Sequence, residues 1–166
     1  MPIAVRMSDK DLSLYRPCVG VMLVNRQGHA FVGKRIDNRE GDFWQMPQGG
    51  VDEGEEPGQA LLRELREETG ATAAHVEVVA RLPGELLYDL PDSLKGKLWG
   101  GRYVGQRQTW YLALFTGADS DIDLEAHDPP EFCEWKWVVP ELLPELIVPF
   151  KREVYAAIVA EFRDLI

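Results

Sequence analysis

A short acidic segment near the middle of the chain carries the residue types that metal-assisted chemistry requires. Glu64, Glu67 and Glu68 stand at positions i, i+3 and i+4. In a helix this spacing places three carboxylates on one face, about 5–6 Å apart, where like charges repel. A hard divalent cation offsets such repulsion, and Mg²⁺ prefers oxygen ligands. The spacing therefore indicates a magnesium site, which Mn²⁺ can also fill.

Local signals define the ends of the helix that carries these acids. Pro57 suits the first helical turn, and Gly70 suits the left-handed position just past the last turn. Between them, apolar residues predict a stripe that faces the core: Ala60, Leu61, Leu62 and Leu65. A solvated surface helix, with its acids paired to Arg63 and Arg66, is the simpler interpretation of the same pattern.

The loop ahead of the helix adds a second set of candidate residues. Gly49 and Gly50 allow the backbone to come close to a metal ion and to phosphate groups. Glu55 and Arg63 lie on either side of the junction between loop and helix. We interpret them as a salt bridge that holds the loop, a role that we favour over catalysis.

The full spacing of this segment distinguishes the metal site from a plain surface helix. From Gly49 it runs through Glu55, Arg63-Glu64 and Glu67-Glu68 to Gly70, and it matches the Nudix box at the fixed positions. Ala71, in the last slot, is smaller than the usual aliphatic residue. The sequence therefore resembles the Nudix hydrolases, which cleave a nucleoside diphosphate linked to another moiety. The resemblance implies an α/β fold, a Nudix-type α/β/α sandwich with a mixed central sheet.

Composition limits the classes of protein to consider. At 166 residues, with 45% hydrophobic and 28% charged residues, we expect one globular domain over 1–166. The segment 1–16 lacks the apolar core of a signal peptide, and no apolar run is long enough to cross a membrane, which favours a cytoplasmic protein. Cys18 and Cys133 form no metal or disulfide pattern, so we expect a buried thiol at each. A net charge of −10 argues against broad nucleic-acid binding.

Hydrophobic periodicity predicts the remaining elements. Strands are expected at 17–25, 30–36, 72–82, 106–116 and 132–139, with a short extended piece at 43–48 and a closing helix at 151–166. Residues 1–15 show no clear periodicity, 37–42 read as a charged loop, and 140–149 as a turn-rich connector. Glycine and proline mark 83–105 as a long excursion, and loops of that length are usually functional or mobile.

Flanking residues place the resemblance in one branch of the family. The segments Trp44–Gly50, Tyr15–Pro17 and Pro149–Arg152 are similar to bacterial RNA 5′-pyrophosphohydrolases and dinucleoside polyphosphate hydrolases. This resemblance implies a further metal-binding carboxylate at Glu131. It also implies that Arg16, Arg35 and Lys151 contact 5′-phosphates or nearby RNA. Bases would be held by Tyr88, Val148 and Phe150, and Gln45 joins the substrate-binding set.

A basic cluster in the excursion bears on the substrate. Lys95, Lys97, Arg102 and Arg107 lie close together in the sequence, and such a local field can steer a polyanion to an acidic protein. Trp99, Tyr103 and Trp110 are interleaved with these residues and permit base stacking, although we favour a packing role for Trp99 and Trp110.

Three functions follow as hypotheses. The first is removal of pyrophosphate from the 5′ end of triphosphorylated RNA, with Mg²⁺ bound by Glu64, Glu67, Glu68 and Glu131. The second is the same chemistry on dinucleoside polyphosphates such as diadenosine tetraphosphate. The third is a nucleotide-sensing module without turnover, which the complete set of helical acids argues against. Glu64 or Glu68 serves as the base, and the sequence leaves that choice open, as it leaves any protein partner.

Overall fold

The computed structural model describes residues 11–37 and 41–166, and a seven-stranded mixed sheet forms its centre. The strands are β1 (Tyr15–Val24), β2 (Ala30–Arg35), β3 (Gln48–Gly50), β4 (Val76–Arg81), β5 (Leu86–Asp89), β6 (Gly105–Phe115) and β7 (Phe132–Val138). The helices are α1 (Pro57–Thr69), α2 (Leu143–Leu146) and α3 (Arg152–Phe162). The expected segments 1–15 and 37–42 lie partly outside the described residues.

The two longest strands pair in parallel and set the register of the sheet. β1 and β6 run side by side from Tyr15 opposite Gly105 to Val24 opposite Leu114, while every other pair is antiparallel. The main path has the order β4-β6-β1-β2-β7, with β3 on β1 and β5 on β6. Paired residues of adjacent strands share a face of a sheet. Arg16, near the start of β1, is therefore a neighbour of Gln106.

Alternation along β1 supplies a separate core to each face of the sheet. Val19, Val21 and Leu23 pack with Leu61 and Leu65 of α1. The intervening Met22 and Val24 face the other way and pack with the buried side chains of α3: Val154, Tyr155, Ile158 and Phe162. Because the central strand β1 buries both of its faces, the sheet lies between helical layers. The expected α/β/α sandwich with a mixed sheet is confirmed.

The ends of α1 follow from its sequence. Pro57 stands in the first turn, and the side chain of Gln59 accepts a hydrogen bond from the Glu56 N–H, as in a capping box. At the other end Gly70 adopts φ 78°, and its N–H donates to the Arg66 carbonyl. A side chain at Gly70 would also meet Asp123, since the chain passes close there.

Some sequence-based expectations need correction. The excursion at 83–105 contains β5, which pairs with β6, and the connector at 140–149 contains α2. Leu62 is exposed and does not belong to the apolar stripe of α1, because it lies on the side of the helix away from the sheet. Cys18 is buried as expected, but Cys133 lies on the outer strand β7 and is exposed. No helix among the described residues could span a membrane.

Candidate active site

The acids of α1 differ strongly in their surroundings. Glu68 is buried, and one of its carboxyl oxygens accepts a hydrogen bond from the backbone N–H of Gln48. Burial raises the pKa of Glu68 well above its usual range, and the neighbouring Glu64 carboxyl adds to the effect. Burial also raises the pKa of Glu64. Two adjacent carboxyl groups with little access to water form the centre of the site.

Arg63 connects the loop ahead of α1 to the acidic face of the helix. Its Nε and Nη2 donate to the two carboxyl oxygens of Glu55 at 2.9 and 3.0 Å, and Nη2 also donates to the Gly50 carbonyl at 2.8 Å. Nη1 donates to Glu64 at 2.9 Å and to Glu67 at 3.1 Å. The expected Glu55–Arg63 salt bridge is present, and it closes the loop on the helix. Paired to Arg63 in this way, Glu55 has its pKa lowered to about 2.

The close approach of backbone to carboxylate explains a glycine of the loop. A Cβ at Gly49 would overlap the carboxyl group of Glu64, so a larger residue would push loop and helix apart. This contact brings a β3 peptide next to the buried pair of carboxyl groups. Gly50 lies likewise against the guanidinium of Arg16.

The donor set fits a hard divalent cation in kind. Glu64, Glu67, Glu68 and Glu131 offer only oxygen atoms, which Mg²⁺ and Mn²⁺ prefer to nitrogen or sulfur. A cation between Glu64 and Glu68 would offset the cost of burying two carboxylates side by side. Within 11–37 and 41–166, however, no group of three acidic, histidine or cysteine side chains is already gathered as a metal cluster. Glu67 is turned toward Arg63, which explains part of that result.

Glu131 and Arg35 form an ion pair near the buried Glu68. Arg35 Nη1 lies 3.4 Å from Glu131, and two other guanidinium nitrogens bind Asp37 at 2.8 and 2.9 Å. Both acids compete with any phosphate for this cation. The resemblance implies that Arg35 is a substrate contact, and the structure adds this competition.

One cavity of about 510 Å³ brings together the side chains that the resemblance assigned to substrate. Its wall includes Arg16, Arg35, Gln45, Tyr88, Val148, Phe150 and Lys151. These residues come from distant parts of the sequence and meet only because β1, β5 and the segment before α3 converge. The wall combines positive charge with aromatic surface, which suits a ligand that has both phosphates and a base.

Lys151 lies against two aromatic rings of the cavity wall. Its ammonium lies 5.4 Å from the ring centre of Tyr88 and 5.8 Å from that of Phe150. Burial, and after it the charge of Arg35, lower the pKa of Lys151 to about 8. The rings themselves attract a cation, so they hold the ammonium in place. A phosphate at this position would favour the charged form.

Arg16 lies between this cavity and a second one. Its guanidinium covers the ring of Trp99 at 5.3 Å and lines both cavities, the second of which also contains Tyr103, Arg102 and Arg107. The basic cluster expected from the sequence is partly neutralised, since Arg107 pairs with Glu85 at 3.0 Å and Lys95 with Asp92 at 3.5 Å. Trp99 is half-buried in the cavity wall, whereas Trp110 is fully buried.

Sequence reasoning missed Gln106, a buried glutamine in the wall of the first cavity, and named Gln48 only as part of a motif. A signal was present: the core strand β6 begins with a run of polar residues, Gln106 to Thr109, before Trp110. Polar residues on the inner face of a strand are unusual unless they serve a site.

A family model described as the NUDIX domain matches residues 14–158, most of the chain. The chain belongs to the Nudix family. Members of this family generally require divalent metal ions, in keeping with the acids on α1.

Two bacterial relatives with similar sequences are named RNA pyrophosphohydrolase. The protein from Novosphingobium aromaticivorans is 66% identical over 152 residues, with 92% of this chain and 94% of the relative covered. The protein from Erythrobacter litoralis is 62% identical over 159 residues, with 96% and 97% covered.

Solved structures with low sequence identity to this chain share its fold. An Ap4A hydrolase of C. elegans in a binary complex has a TM-score of 0.66 at 20% identity, covering 91% of this chain and 99% of that one. The dihydroneopterin triphosphate pyrophosphohydrolase of E. coli has a TM-score of 0.69 at 19% identity, covering 89% and 99%. Both support the Nudix sandwich described above.

Proposed function

We propose that this Nudix protein removes pyrophosphate from the 5′ end of triphosphorylated RNA, with a divalent metal ion. One observation carries the proposal: a cavity lined by cations and aromatic rings is connected to the buried carboxyl pair of α1 through Gln48, which lines the cavity and whose backbone N–H donates to Glu68. The two bacterial relatives named RNA pyrophosphohydrolase, at 66% and 62% identity over most of the chain, support the same substrate.

Mg²⁺ is the cation that we propose, with Mn²⁺ able to replace it, because the candidate ligands are all carboxylates. Glu64, Glu67, Glu68 and Glu131 would hold it. When bound, the cation supplies charge neutralisation on the phosphates and helps to orient the attacking water. Arg63 keeps Glu64 and Glu67 in reach of the loop, so its role is to shape the site.

The carboxyl groups of Glu64 and Glu68 are the candidates for the base that takes a proton from water. A general base works best when its pKa is close to the working pH, and burial raises the pKa of both groups. Buried at the contact between α1 and β3, Glu68 is held by the Gln48 N–H. That hydrogen bond fixes the direction of the carboxylate.

The cationic residues of the cavity would bind the phosphates of the substrate, and the aromatic residues would bind a base. Arg16 and Lys151 would neutralise phosphate oxygens, and Arg35 would join them by exchanging Asp37 for phosphate. Tyr88 and Phe150, with ring centres 5.7 Å apart, offer a surface for one base, and Val148 and Gln45 border it. Phosphoryl transfer depends mainly on positioning and electrostatics, which this wall supplies.

Hydrolysis of dinucleoside polyphosphates is the second candidate. Two cavities with aromatic walls meet at Arg16, one with Tyr88 and Phe150 and the other with Trp99 and Tyr103. This arrangement suits a ligand with two bases joined through phosphates, either two RNA nucleotides or a dinucleotide. We further propose that residues 1–166 act as one domain and that the protein works in the cytoplasm, where triphosphorylated RNA is made.

A substrate panel tests the proposal. Triphosphorylated RNA, diphosphorylated RNA, diadenosine tetraphosphate and free nucleoside triphosphates are compared by kcat/KM with Mg²⁺. We expect triphosphorylated RNA to lead and pyrophosphate to be released from it. If diadenosine tetraphosphate leads instead, the second candidate replaces the first. Absence of turnover on every substrate, in protein that binds Mg²⁺, would leave a nucleotide-sensing module.

A further inference from the structure

A chain of hydrogen bonds between buried amides runs from the core to the wall of the first cavity. The indole Nε1–H of Trp110 donates to Gln108 Oε1 at 2.8 Å. Gln108 Nε2 donates to Gln106 Oε1 at 2.7 Å and to Gln48 Oε1 at 3.3 Å. Gln106, Gln108 and Trp110 alternate along β6 and so share the face of the sheet toward α3. Gln48 and Gln106 line the cavity, whereas Gln108 lies behind them.

The Trp110 indole determines which atom donates and which accepts in every hydrogen bond of this chain. An indole nitrogen can only donate a hydrogen bond. Gln108 must therefore turn its oxygen to Trp110, which leaves its N–H₂ group for the two other glutamines. Both of those must then accept through their oxygens. The orientation of three amide groups is thus fixed by chemistry, and a reversed assignment of oxygen and nitrogen would leave two donors facing each other.

What remains free on Gln48 and Gln106 is the N–H₂ group. In the described part of the chain neither amide nitrogen has an acceptor. Over the same residues the single buried side-chain polar atom without a partner is Arg107 Nε, so neither amide nitrogen is completely buried, and both belong to residues of the cavity wall. Gln106 is the cross-strand neighbour of Arg16, and Lys151 lines the same cavity.

We propose that Gln108 is a positioning residue that turns the amides of Gln48 and Gln106 so that both present N–H donors to the phosphate chain of the substrate. Phosphate oxygens only accept hydrogen bonds, so N–H₂ groups attract them and carbonyl oxygens would repel them. The proposal rests on the proposed function for its ligand class, a phosphoanhydride. Trp110 sets the direction from the core without touching the substrate.

The test measures binding, without turnover. The probe is a methylene-bridged tripolyphosphate, which cannot be hydrolysed, in the presence of Mg²⁺. Gln108→Met keeps the size of the side chain and removes the amide that links Trp110 to Gln48 and Gln106. Trp110→Phe keeps an aromatic ring and removes the N–H that donates to Gln108. Phe31→Leu, in the buried cluster on the α1 side, is the matched control for lost core stability. Thermal unfolding confirms that each variant is folded at the assay temperature.

We expect Gln108→Met and Trp110→Phe to weaken binding of the probe about fivefold, as the partial loss of two oriented hydrogen bonds predicts, while Phe31→Leu leaves it unchanged. In ¹⁵N-labelled wild-type protein the side-chain N–H₂ signals of Gln48 and Gln106 should shift on adding the probe, and in Gln108→Met they should shift less. Tighter binding of the probe by Gln108→Asn than by Gln108→Met would further support the positioning role of the amide at this site.

Equal affinity of Gln108→Met and wild type, or N–H₂ signals that the probe leaves unmoved in wild type, would overturn the proposal. A wild-type protein that does not bind the probe would overturn it as well. A different result would contradict the proposed function. This result is a wild-type protein that binds the probe and shows the amide shifts but does not hydrolyse triphosphorylated RNA.

Discussion

Two nitrogens of Arg63 donate hydrogen bonds to the Glu55 carboxylate across the junction between the loop and α1, Nε at 2.9 Å and Nη2 at 3.0 Å. The same guanidinium reaches Gly50, Glu64 and Glu67. Loop closure and the orientation of two candidate metal ligands thus depend on one side chain. The site is therefore expected to lose order as a unit when this side chain is removed.

Replacing Arg63 by alanine should lower stability and metal affinity together. Hydrogen bonds to charged groups contribute about 1.5–3 kcal/mol each, and part of that is lost here. Thermal unfolding and Mg²⁺ titration measure both effects, with Arg66→Ala, an exposed arginine of the same helix, as the control. A variant that keeps its stability and metal affinity but loses all turnover would show that Arg63 is catalytic.

Glu55 should make stability depend on acid pH. Its folded pKa of about 2 lies below the ordinary value of 4.5, so the unfolded chain binds the proton more readily. The stabilisation is complete above pH 4.5 and is lost as the pH falls toward 2. Wild type should therefore exceed Glu55→Gln in Tm at pH 6 and approach it near pH 2. A difference in Tm that stays constant over this range would contradict the ion pair.

Activity should require a divalent cation, and Glu68→Gln should remove most of it. The substitution keeps the shape of the buried side chain and removes its charge, with an expected loss of about 10²–10⁴ in kcat. Glu55→Gln should lose less, since Glu55 holds the loop. Turnover is measured with Mg²⁺ and after chelation. Near-normal turnover of Glu68→Gln would refute the assignment.

Lys151 should lower the stability of the free protein at neutral pH. Its folded pKa of about 8 lies below the ordinary value of 10.5, so the folded state disfavours the charge. Stability should rise with pH between 8 and 10.5 as the folded protein releases this proton first. Lys151→Met should accordingly have the higher Tm at pH 7, by a margin that shrinks above pH 9. A lower Tm for Lys151→Met at pH 7 would mean that the ring contacts outweigh burial.

The substrate-binding side chains should affect RNA more than a dinucleotide. An RNA end carries phosphates beyond the first nucleotide, and each phosphate contact adds about 0.7 to the salt slope of single-strand binding. Arg16→Ala, Arg35→Ala and Lys151→Ala should each reduce kcat/KM more for triphosphorylated RNA than for diadenosine tetraphosphate. Phe150→Ala should also affect RNA more, since a lost base stack costs about 1–3 kcal/mol.

These comparisons are made at two salt concentrations, with Arg26→Ala as the control because Arg26 lines neither cavity of the site. Equal losses and equal salt slopes on both substrates would show that the protein reads only the polyphosphate. The dinucleotide would then become the leading candidate.

The acidic helix and the loop ahead of it could be predicted from the amino-acid sequence. Pro57, Gly70 and the spacing of the glutamates act through local geometry, because a helix repeats every few residues and its ends depend on neighbouring backbone groups. The Glu55–Arg63 pair was also within reach, since both residues belong to one short segment.

The construction of the cavity, in contrast, depends on contacts between residues far apart in the chain. Arg16 and Lys151 meet because β1 pairs with β6 in parallel and α3 packs across them, and such long-range pairing leaves no local signal. Gln108 reads in sequence as one polar residue in a strand. Its role depends on Trp110 behind it and Gln48 in front of it, and the direction of those hydrogen bonds exists only once β3 and β6 lie on either side of β1.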